Sequence, residues 1–77
     1  MNFPAINMIN TGHNIEILRK QHGLSVKQLQ TILGFATPQA IYKWQNGSSL
    51  PSIDNLIALS VIFSVPIEKI LVTNEVS

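Results

Sequence analysis

Residues that start or stop helices recur at short intervals along this chain and confine it to short helices joined by short loops. Asn7 is suited to cap a first helix, with Thr11 as a rival, and Gly23 to end it. Ser25 caps a second helix and Gly34 ends it. Thr37-Pro38 opens a third, with Thr37 as N-cap and Pro38 as first helical residue, and Asn46-Gly47 closes it. Gly47-Ser48-Ser49-Leu50-Pro51 reads as a loop, Ser52 signals a fourth helix, and Pro66 heads a fifth.

Apolar spacing assigns each helix an inward stripe: Met8, Thr11, Ile15, Leu18 and His22 on the first, and Val26, Leu29, Ile32 and Leu33 on the second. Ala40, Ile41 and Trp44 form that of the third, Ile53, Leu56, Leu59, Ser60 and Phe63 that of the fourth, and Ile67, Ile70 and Leu71 that of the fifth. Gly12 lies awkwardly inside the first helix, where glycine is about 1 kcal/mol worse than alanine. No segment alternates with period two, and no long repeat is present. The expectation is an all-α single domain over residues 1–77, its core at about 7–71, with 1–6 and 72–77 as flexible tails.

Composition and motif content exclude several function classes. Seventy-seven residues leave room for one core, and 45% apolar against 12% charged residues places the chain among those that fold. Without cysteine there are no disulfides and no thiolate metal ligands. His13 and Glu16 make two metal ligands at best, so His13 and His22 are read as structural. No Ser/His/Asp set, glycine-rich phosphate loop or carboxylate pair is present, which points to a non-enzymatic protein with no cofactor. The first basic residue is Arg19, unlike a secretory signal, and the longest apolar tract, Leu56 to Ile67, is interrupted by Ser60, Ser64 and Pro66. A cytoplasmic location is therefore expected. Charge is uneven: Arg19, Lys20, Lys27 and Lys43 face Glu16 alone in residues 1–50, whereas Lys69 faces Asp54, Glu68 and Glu75 beyond.

The second and third helices, Ser25 to Asn46 with a tight connection at Gly34-Phe35-Ala36, have the layout of a helix-turn-helix. Leu24-Ser25, Leu29, Leu33-Gly34, Ile41, Trp44, Asn46-Gly47, Leu50-Pro51, Leu56 and Leu59 stand in an order and spacing that resembles the Cro/phage-repressor (Xre-type) DNA-binding domains. The resemblance covers roughly residues 7–71 and implies a five-helix, lambda-repressor-like fold whose third helix enters the major groove. It carries base contact over to Gln39, whose amide matches adenine's donor–acceptor edge, and to Lys43, which suits guanine or a phosphate. Tyr42 would stack on the sugar-phosphate chain or touch a thymine methyl. Pro38 and Asn46 complete the exposed side; the alternative to these roles for Gln39, Lys43 and Tyr42 is a solvated polar helix face. Ser25 and Thr37 are N-caps, phosphate contacts, or both, and Lys27 is a phosphate contact or a solvated lysine.

Three departures from the family pattern carry structural expectations. Gln30 replaces the usual alanine where the two helices cross and must bend outward, so that either the crossing widens or its amide bonds the turn. Ala36 makes the turn one residue longer than the common form. Gln45 stands where glutamate usually pairs with the arginine of the first helix, so a hydrogen bond should replace an ion pair at Arg19.

The resemblance implies a transcriptional regulator, a repressor in direction, binding double-stranded DNA as a dimer on a short palindromic operator. Ile57 and Val61 lie outside the inward stripe of the fourth helix; with Ile62, and with the Leu71-Val72 end, they are the expected dimer interface. The same greasy end supports the alternative of a helical protein–protein adaptor or antitoxin-like partner.

Overall fold

The computed structural model describes residues 3–76, and in it the local capping chemistry sets most element boundaries. Asn7 caps α1 (Met8–Gln21) through a bond accepted from the Asn10 amide at 2.9 Å. Ser25 and Gln28 form a reciprocal capping box at the head of α2 (Val26–Leu33). Gly34 ends α2 in the left-handed conformation, φ 74° and ψ 25°. Then come α3 (Gln39–Gln45), α4 (Ile53–Phe63), capped by Ser52, and α5 (Ile67–Ile70), headed by Pro66.

Helix α3 starts one residue later than its sequence signals. The Pro38 carbonyl accepts from the Tyr42 amide at 3.2 Å, and no side chain caps the helix. Pro38 is therefore the N-cap, and Thr37 lies in the turn.

The core is Ile15, Leu29, Ile41, Trp44, Leu56, Leu59, Phe63 and Ile70, one cluster drawn from all five helices. Burying each such side chain contributes about 1.5–3 kcal/mol. Leu18, Val26, Leu33, Ala40, Ile62, Ile67 and Leu71 pack around it half-buried. Four residues of the expected inward stripes are exposed instead. Ile53 and Ile32 are 72% and 55% exposed, and Met8 and His22 are also on the surface. His22 still has a structural place, its ring tilted on Phe63 at 5.4 Å and its Nδ1 2.9 Å from the Leu18 carbonyl.

The two ends of the chain are not free tails. β1 (Phe3–Ile6) and β2 (Thr73–Val76) pair antiparallel, Phe3 opposite Val76 and Ile6 opposite Thr73. The ladder runs into α1: the Asn7 amide donates to the Val72 carbonyl at 2.8 Å, and the Val72 amide donates to the Thr11 hydroxyl at 2.9 Å. The Asn14 side-chain amide donates to the carbonyls of Lys69 and Ile70, closing the end of α5. Met1, Asn2 and Ser77, which belong to the expected tails, lie outside the described residues.

Candidate nucleic-acid interface

The face of α3 is set by how the helix is anchored. Ile41 is fully buried, Trp44 is 3% exposed, and Ala40 is half-buried beside them. At helical spacing this turns Gln39, Tyr42 and Lys43 outward, and all three are exposed. Two ties hold the helix from behind. The buried Arg19 guanidinium donates to the Leu24 carbonyl at 2.7 Å and to Gln45 Oε1 at 3.0 Å, linking α1, the start of α2 and the end of α3. This is the neutral bond expected in place of an ion pair. Gln30 Nε2 donates to the Phe35 carbonyl at 3.2 Å, so the long side chain bonds the turn.

The remaining candidates differ in how committed their side chains are. Ser25 Oγ accepts from the Gln28 amide at 3.0 Å, which fixes it as a cap. Thr37 is exposed in the turn, next to the half-buried Pro38. Asn46 is exposed, but its Oδ1 accepts from both the amide and the hydroxyl of Ser48, an Asx turn that shapes the exit from α3. Gly47, at φ +79°, continues that turn. A Cβ there would lie 2.8 Å from Ile9 Cγ1 and 2.9 Å from Ile9 Cα, so the loop passes against the start of α1.

Ion pairing separates Lys20 from the other lysines. Lys20 is taken up by Glu16 at 3.1 Å, and that hydrogen bond, then the charge itself, holds the Glu16 carboxyl below its ordinary range. Lys27 on α2, Lys43 on α3 and Lys69 on α5 are exposed and enter no ion pair among the described residues, and of these Lys27 and Lys43 lie on the helix-turn-helix. No group of metal-ligating side chains occurs among the described residues, and no concave pocket opens there.

A second surface lies on α4. Ile53, Ile57 and Val61 are 72%, 51% and 74% exposed and succeed one another at every fourth residue. Ile62 belongs elsewhere, half-buried against the core. Ile53 is a surface residue that sequence reasoning missed, although its spacing with Ile57 and Val61 is legible once Ser52 is taken as the cap.

Two helices joined by a glycine-led turn, the second buried along one side and polar along the other, define a helix-turn-helix domain. The helix-turn-helix family model HTH_3 matches residues 15–70, and the chain belongs to this family, of the Xre/Cro type. Among solved structures, the chain resembles the BldD DNA-binding domain of S. venezulae, with a TM-score of 0.71 at 18% identity over 84% of this chain and 96% of that one. It also resembles the restriction-modification controller protein C.AhdI of Aeromonas hydrophila, with a TM-score of 0.72 at 19% identity over 82% and 94%. At such identities the likeness is one of fold. No curated protein matches the sequence significantly. Among the described residues no helix is long and apolar enough to cross a membrane.

Proposed function

We propose that this chain is a sequence-specific, double-stranded DNA-binding transcriptional regulator that acts as a repressor, from the cytoplasm, as a homodimer on a short two-fold symmetric operator. One observation carries the reading: the second helix of a helix-turn-helix presents Gln39, Tyr42 and Lys43 to solvent while Ile41 and Trp44 lock it into the core. Family membership and the names of the fold's neighbours, a DNA-binding domain and a controller protein, support it. The chain has no catalytic part in this reading.

Gln39 and Lys43 read base edges, Tyr42 packs on the backbone or a thymine methyl, and Ser25, Thr37, Pro38 and Lys27 meet phosphates. Asn46 shapes the loop and offers only its amide hydrogens. Duplex binding should fall steeply with salt, because neutralised phosphates release counterions; an adaptor working through an apolar face would show no such slope. Gln39→Ala should weaken a duplex selected from random-sequence DNA by about 1–3 kcal/mol and random duplex much less. Ser25→Ala should weaken both alike. Lys43→Ala decides between roles, since a phosphate contact would lower the salt slope by about one and leave base preference unchanged. A selected-to-random ratio untouched by Gln39→Ala would move the reading surface off α3.

The dimer is assigned to α4. Leu56, Leu59 and Phe63 cover one side of this helix and Ile53, Ile57 and Val61 the other, with Asp54 its one charge. A helix apolar on both sides is normally covered on both. Changing Ile57 and Val61 together to Glu should give a folded monomer in sedimentation. An unchanged assembly state, or a wild type that stays monomeric when concentrated on DNA, would remove the assignment. The stripe also suits a partner protein, as an antitoxin-like adaptor would require; the absence of salt-dependent duplex binding would favour that reading.

A further inference from the structure

We propose that Gln30 is a positioning residue: by gripping Phe35 at both of its backbone polar groups, it sets how α3 is held against α2 and hence which base pairs Gln39 and Lys43 meet. The inference rests on α3 being the reading helix. The Phe35 amide donates to the Gln30 carbonyl at 3.0 Å, and Gln30 Nε2 donates back to the Phe35 carbonyl at 3.2 Å. With Gly34 left-handed, the first bond is how such a helix ends whatever side chain stands at position 30. The second depends on the glutamine amide. It fixes the peptide from Phe35 to Ala36, the first step of the passage into α3.

That peptide is decisive because the next two residues are held by so little. Ala36 and Thr37 are exposed, and no hydrogen bond among the described residues holds their backbone before the Pro38 carbonyl opens α3. The passage is therefore fixed at Phe35. From there the connection is made by packing, since the Phe35 ring meets Trp44 of α3 edge-on, centroids 5.8 Å apart and planes at 72°. Gln30, Phe35 and Trp44 thus form a continuous link between the two helices. The fold repeats the grip at the end of α4, where the Val65 amide donates to the Ser60 carbonyl and Ser60 Oγ donates to the Val65 carbonyl at 2.6 Å. That copy has no reading helix behind it, so it serves as an internal control.

Gln30→Met keeps the length and removes the donor. Its selected-to-random duplex affinity ratio should fall about fivefold or more, the equivalent of one mismatched base pair, with random-duplex affinity little changed. Ser60→Ala should lower the melting temperature and leave the ratio alone. Gln30→Glu supplies a test that needs no DNA and no comparison between folds. When protonated it donates to the Phe35 carbonyl as the amide does, and when ionised it cannot. Emission from Trp44, the only tryptophan, should shift to longer wavelength as that variant is titrated upward through roughly pH 4–5, while the wild type stays flat. A wild-type ratio in Gln30→Met, or an emission that does not titrate in Gln30→Glu, overturns the proposal. A wild type that binds no duplex overturns the regulator reading instead, and the emission titration still decides whether Gln30 governs the link.

Discussion

Replacing Trp44 with alanine is expected to remove about 3–5 kcal/mol of folding stability, because a large buried aromatic leaves both lost transfer free energy and a cavity. A small domain has only about 5–15 kcal/mol in total, so much of the variant would be unfolded near physiological temperature. Trp44 is 3% exposed, takes the edge of Phe35 on one side and sits in the cluster with Ile15, Ile41 and Phe63. Its backbone carbonyl also lies directly against Gly12 of α1. Far-ultraviolet circular dichroism during thermal and urea unfolding measures the loss. A variant that melts normally yet no longer binds duplex DNA would show that Trp44 faces the ligand and that the face of α3 assigned to reading is the wrong one.

The parts of this fold legible in the sequence are those fixed by local chemistry. Asn7, Ser25, Ser52 and Gly34 act where their types announce, because a cap needs only its own next three or four residues. The Arg19–Gln45 and Gln30–Phe35 bonds are legible too, since family spacing puts a donor beside a neutral acceptor. Pairing between distant segments is not. β1 is four residues long and contains Pro4, too short to show alternation, and it exists because Asn7 and Thr11 bring residue 72 alongside α1. Ile53 escapes prediction for another reason. Periodicity separates apolar from polar sides, and a helix such as α4, apolar on both, gives it nothing to separate. The start of α3 is displaced because Pro38 takes the capping place itself, leaving the Thr37 hydroxyl without a helix amide to accept from.

The same contrast decides what Gly12 does. By intrinsic preference, Gly12→Ala should stabilise α1 by about 1 kcal/mol, since the residue is mid-helix. The packing predicts the opposite sign. A Cβ at Gly12 would fall 1.8 Å from the Trp44 carbonyl oxygen, 2.9 Å from its carbon and 3.0 Å from the Gln45 carbonyl oxygen. Each of these is backbone at the end of α3, so no side chain can rotate away, and the two helices would have to part by about an ångström. Overpacking of this kind costs about 1–3 kcal/mol and occasionally more. Contact with rigid backbone places it at the upper end, for a net loss of about 2 kcal/mol after the helical gain. The displacement would also loosen the Arg19–Gln45 bond, which spans the same two helices, so DNA affinity should drop further than the folded fraction alone accounts for. Thermal melting with and without the selected duplex separates the two effects. A melting temperature equal to or above that of the wild type would mean that α1 and α3 do not approach as closely as these distances require, and the anchoring of the reading helix would need another explanation.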